Sequence, residues 1–192
     1  MKYIRRFVGF LASRALLWTI MLAVLACGFY MCMNTANVYI VLDDGLEKRV
    51  SVILTREDAP ELNKYFHADF LSADPALLAA FNGSSPYVDY NITGFEHKLE
   101  VESLWAWPWD SYATCTVVER VPNISGKVLS SRSSEVSPEI PCWQGGRYEI
   151  TLAKTGGLWK IAGMRQTSII VEATPVPEVT PTPAPTEAPS EG

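Results

Sequence analysis

Two histidines and a run of tryptophans are the side chains in this sequence with the strongest claim to chemistry. His67 follows Phe66, and His97 follows Glu96. An imidazole beside a carboxylate can work as a general acid–base couple, and Asp69 or Asp89 could supply the carboxylate. Spacing alone brings neither pair together, so no catalytic residue is expected. No Cys/His metal spacing, Gly-rich phosphate loop or nucleophile elbow occurs either. The expectation is therefore a protein without a metal, a cofactor or an enzymatic activity.

Trp105, Trp107 and Trp109 recur at every second residue, so on a strand they share one face. Their first expected role is to fill the hollow of a twisted sheet. The alternative is a ligand-binding face, with Tyr90 beside the three indoles and Tyr87 and Tyr112 lining the same hollow. Such rings stack on sugars or anchor a protein partner. Pro108 lacks a backbone donor and predicts an edge or a break there. Cys115 and Cys142 are candidates for a disulfide that would tether a long loop, the alternative being two separate buried thiols.

These residues must be positioned by elements whose setting the N-terminus decides. The stretch 15–33 has no charge, and its clearly polar residue is Thr19. About 20 apolar residues cross a bilayer as a helix. Lys2, Arg5, Arg6 and Arg14 precede the stretch, whereas all 21 acidic residues follow it. The positive-inside rule then predicts residues 1–14 in the cytoplasm, a transmembrane helix over 15–35 and residues 36–171 outside the cell membrane. Trp18 and Tyr30 stand toward the two ends of the span, as interfacial aromatics do. A cleavable signal peptide would have a shorter apolar core, and Asn34-Thr35-Ala36 is a poor cleavage site. Val24-Leu25-Ala26-Cys27 loosely resembles a lipobox, but the apolar run continues past Cys27. An uncleaved signal-anchor is therefore expected. The acidic outer portion excludes nucleic acid as a partner, because phosphate binding needs clustered Lys and Arg.

Beyond the span, apolar stretches at 37–42 and 48–54 flank Asp43-Asp44-Gly45, which reads as a β-hairpin turn. A helix follows, with Asp58 as cap, Glu61 completing a capping box, and Leu62, Phe66 and Phe70 on its buried face. A second helix runs from Asp74 and Pro75 to Asn82-Gly83. The period then changes to two: strands are expected at 88–92, 98–102, 112–121, 148–152 and 158–164, with a long Ser-rich loop over 122–144. Short helices followed by a strand meander give an α+β domain, its helices packed on one face of a curved antiparallel sheet. Residues 172–192 are rich in Pro and Thr and lack basic and aromatic residues, so a disordered tail is expected. The Asn82, Asn91 and Asn123 sequons matter only in a eukaryotic secretory pathway, and a bacterial protein is expected.

Two helices, long antiparallel strands and the closing hairpin RYEITLAKTGGLWKIAG resemble the nuclear-transport-factor-2-like cone fold over about residues 55–168. That fold hosts isomerases, dehydratases and many non-catalytic binding modules, so the resemblance implies no single activity. The layout also resembles the single-pass scaffold proteins of bacterial conjugation machinery. The function expected first is a membrane-anchored extracytoplasmic binding or scaffold module without catalytic activity, with protein partners. The second is a glycan or small-molecule binder using the aromatic face on cell-wall glycan, and the third an isomerase or hydrolase with a pocket in the cone.

Overall fold

The structure is a computed structural model that describes residues 2–57 and 60–170. The expected Asp58 cap and the expected disordered tail lie outside the described residues. Helix α1 spans Lys2–Thr55 without a break. It is long and apolar enough to cross a membrane, with an 18-residue window of mean hydropathy 2.1 that is entirely unburied. Past Met33 the same helix changes character. Asn34, Val38, Leu42, Leu46 and Val50 recur at four-residue intervals and are all buried. This stripe is the spine of the folded domain.

The hairpin expected around Asp43-Asp44-Gly45 is thus corrected: these residues lie inside α1. The four-residue recurrence of buried side chains outweighs the local turn signal. Gly45 serves close packing rather than turning. A Cβ placed on it would meet Tyr65 Cβ at 3.0 Å. Helix α1 ends at Arg56, whose φ of 60° turns the chain. The Arg56 guanidinium donates to the carbonyls of Val88 and Tyr90, at 2.7 and 3.1 Å.

The first short helix of the sequence reading is two pieces, α2 (Leu62–Tyr65) and α3 (Ala68–Ala73). Between them Phe66 is extended, and His67 N–H donates to Ile161 O at 2.8 Å. Tertiary pairing interrupts the helix there, while Phe66 remains fully buried and stacks on Phe70. Helix α4 (Pro75–Asn82) forms as its end signals predict. Asp74 accepts from Ala76 N–H, Pro75 opens the helix, and Gly83 closes it at φ 78°.

Among the described residues four strands follow, not five: β1 (Tyr90–Trp105), β2 (Tyr112–Val128), β3 (Gly145–Thr155) and β4 (Leu158–Ile170). The expected strands at 88–92, from Tyr90 on, and at 98–102 are parts of one continuous β1, which three register shifts accommodate, while Val88 and Asp89 lie in the turn before it. The strands pair antiparallel in the order β1-β2-β3-β4. Alternate residues Ala113, Cys115 and Val117 of β2 face the helices together with Tyr148, Ile150 and Leu152 of β3. They form one core with Trp159 and Ile161 of β4 and the α1 stripe. Strand β2 runs further than expected, so the connection to β3 covers 129–144. It is pinned by hydroxyls: Tyr90 donates to Ser137 O and Glu139 O, and Tyr87 donates to Cys142 O.

Candidate functional site

The end of α1, helices α3 and α4, the segments 85–87 and 141–144, and residues of β3 and β4 line an open cavity of about 680 Å³. Arg49 and Asp74 stand at its inner wall. The Arg49 guanidinium meets the Asp74 carboxylate in two bonds, Nε to Oδ2 at 2.6 Å and Nη2 to Oδ1 at 3.1 Å. Both side chains are buried. Burial would lower the Arg49 pKa, but the bond to Asp74 and the charges of Asp74 and Glu119 outweigh it and raise the value. The pair is a matched charge in the wall rather than a free cation.

The rest of the lining is aromatic and polar. Tyr87 and Trp143 stack with ring centroids 6.2 Å apart. Tyr148 and Gln166 are cross-strand partners, and Gln166 Nε2 donates to the Tyr148 hydroxyl at 3.3 Å. Burial, with the Glu119 carboxylate adding to it, pushes Tyr148 up to about 12, and burial does the same to Tyr87. Both phenols therefore stay neutral donors at physiological pH. Trp143 Nε1 is buried with no hydrogen-bond partner. Tyr87 and Trp143 already stack on each other, so a flat group could lie only against the cavity side of the pair, its acceptor facing the Tyr148 hydroxyl.

The histidines separate. His67 pairs with Asp69 at 3.3 Å on the surface. His97 meets Glu119, not Asp89, at 3.4 Å, and that imidazole is only 3% exposed. Asp89 instead pairs with Arg132. Glu119 is fully buried, and its Oε2 has no hydrogen-bond partner. His97 borders a separate cleft of about 480 Å³. Among the described residues, no group of three or more His, Cys, Asp or Glu is arranged to hold a metal ion.

The tryptophans do not fill the hollow of the sheet. Trp105 and Trp109 are each 66% exposed, and Trp107 is half-buried between them. Trp107 meets Trp105 edge-on at 5.3 Å and stacks on Trp109 at 5.0 Å. Strand β1 ends at Trp105, so the indoles leave the sheet where they were expected to line it. Tyr112 opens β2 at the same end of the sheet and is exposed, but Tyr90 does not join them. It opens β1 at the opposite end of the strand and is buried.

The expected disulfide is absent. Cys115 is a buried free thiol donating to Ile150 O at 3.8 Å, and Cys142 is an exposed free thiol on the cavity rim. Cys115 points into the core from mid-strand, while Cys142 lies in the loop outside it.

The sequence reading did not single out Arg49, Tyr148 or Trp143, and it took Asp74 only as a cap. Arg49 lies beside the buried stripe, next to Val50 and four residues before buried Ile53, and a charge there was the signal that something buried must neutralise it. Comparison with known protein families, with curated proteins and with solved structures finds no match.

Proposed function

We propose that this chain is a single-pass membrane protein carrying a non-catalytic binding module on the outer side of the cell membrane. Its support for membrane anchoring is one helix that exposes apolar side chains from Phe10 to Met33 and then becomes the buried spine of an α+β domain. The basic residues ahead of that stretch and the acids after it favour the outward orientation. The helix–helix–meander order remains in keeping with a cone-like domain, and the single-pass layout with a scaffold in an envelope assembly.

The observation that carries binding is the cavity at Arg49, Asp74, Tyr87, Trp143 and Tyr148. Its volume suits a small ligand. Because Arg49 is already matched by Asp74, the wall offers no surplus charge to an anion. The ligand class is a neutral, planar ring system with a hydrogen-bond acceptor.

Ligand-observed saturation-transfer NMR on the full chain in lipid nanodiscs, with a set of neutral aromatic amides, tests this reading. Ala79 lines the cavity, and Ala79→Trp fills it. Transfer to one or more amides from the native chain, lost in the filled variant, is the expected result. Equal signals from both forms, or from empty nanodiscs, would remove the cavity as a binding site.

A further inference from the structure

We infer that residues 105–109, with Tyr112 and Leu158, form an aromatic collar that rests in the outer headgroup layer of the same membrane that α1 spans. The inference rests on the membrane-anchored reading proposed above. It goes further by assigning the exposed tryptophans a partner, the lipid interface.

The position of the collar follows from Asn34. The uncharged stretch 15–33, at 1.5 Å per helical residue, covers about 28 Å, close to the roughly 30 Å hydrocarbon core. Asn34 is the next residue and emerges at headgroup level. Its side-chain amide donates to Ala106 O at 3.1 Å, in the middle of the tryptophan segment. Its carbonyl oxygen accepts from Trp159 Nε1 at 3.0 Å, directly after the β3–β4 turn. Both loops are therefore held against the helix where it leaves the bilayer. A second tie joins them, since Lys154 Nζ donates to Pro108 O at 2.5 Å.

The large side chains that these loops expose are apolar and aromatic. Trp105 and Trp109 are 66% exposed, Leu158 68% and Tyr112 69%. In water such a cluster would be a liability. Indole and phenol rings prefer the bilayer interface, where the ring meets the acyl boundary and the polar atom stays hydrated. Trp107 holds its two neighbours through one edge-on and one stacked contact, so the cluster is preassembled. The α1 helix fixes the height of the domain, and an off-axis collar would fix its tilt.

The test uses the full chain in phosphatidylcholine vesicles carrying a headgroup nitroxide. Trp18→Phe removes the indole inside the span and leaves the folded domain untouched. Its remaining emission should fall by roughly half in nitroxide vesicles, as expected for interfacial indoles. Adding Trp105→Phe and Trp109→Phe, both at exposed positions, should remove most of that quenching. Quenching that is unchanged by those two substitutions would overturn the inference. So would acrylamide quenching of the collar that lipid does not reduce and cell-wall polysaccharide does, which would assign it to glycan. Trp18 is read with acyl-chain-brominated lipid as the difference between a Trp105→Phe/Trp107→Phe/Trp109→Phe chain and the same chain with Trp18→Phe, because both retain Trp143 and Trp159. Loss of that quenching would mean that the spanning reading has failed. Quenching of Trp18 without quenching of the collar would mean that only the collar has failed.

Discussion

Trp159 Nε1 donates to Asn34 Oδ1 across 3.0 Å, joining the last strand to the helix at the residue where its apolar run ends. The same asparagine donates to Ala106 O, so one side chain ties the helix to two loops. Asn34 is 8% exposed and Trp159 is 4% exposed, so water is a poor substitute for either bond. Asn34→Leu leaves a buried indole N–H and a buried carbonyl without partners. The expected loss is about 1–3 kcal/mol for a stranded group. Urea unfolding of the full chain in nanodiscs, followed by near-UV circular dichroism, measures it. An unchanged midpoint would show that Asn34 contributes nothing to the junction.

Arg49 and Asp74 make a second prediction. A buried pair broken on one side costs about 3–5 kcal/mol, because the survivor stays charged and desolvated. Arg49→Met should show a cost of this size. Asp74→Asn keeps a capping side chain for α4 but strands Arg49, and should be similarly costly. The double variant should cost clearly less than the two single costs together. Additive costs in a double-mutant cycle would argue against the pair acting as a unit.

Alkaline pH should loosen the domain through two phenols. Tyr148 and Tyr87 are both pushed up to about 12, mainly by burial. In the unfolded chain a tyrosine ionises near 10. Between those values the unfolded chain binds fewer protons than the folded one, so stability falls as pH rises. This contribution is fully present below about pH 10 and is lost as the pH rises toward about 12. A pH series of unfolding midpoints checks it. Tyr148→Phe should flatten part of the fall, and an identical slope in that variant would rule Tyr148 out.

Gly45 should resist enlargement although it lies in a helix, where other residues are usually better. The Tyr65 Cβ and Ile161 Cδ1 atoms stand 3.0 and 3.4 Å from where its Cβ would be. Gly45→Val is expected to cost about 1–3 kcal/mol through overpacking. Thermal unfolding that matches the native chain would mean that α2 is free to move away.

Much of this architecture was legible in the sequence. The apolar stretch, the caps of α4 and the alternation of β2, β3 and β4 are local signals that survived. What failed was decided by contacts distant in sequence. Asp43-Asp44-Gly45 has turn chemistry, but Leu42 and Leu46 on either side need one helical face against the sheet. Phe66 has helical spacing, but the bond from His67 N–H to Ile161 O pulls the chain out of helix. The candidate site was less legible. Arg49, Asp74, Trp143 and Tyr148 come from four separate elements or loops, and no spacing in the sequence brings them together. The tryptophans were visible as a group, but their exposure depends on where β1 ends.

Cys142 provides the most direct test of an extracytoplasmic domain on a membrane helix. It is an exposed free thiol on the folded domain, whereas burial pushes the Cys115 thiol up to about 12 and leaves it unreactive while folded. Intact bacterial cells expressing the chain are treated with a membrane-impermeant maleimide small enough to reach the cell membrane, alongside cells expressing Cys142→Ser. Labelling of the native chain in intact cells, absent from the variant, is the predicted result. Labelling that appears only after the cell membrane is permeabilised would place the domain in the cytoplasm and contradict the proposed topology.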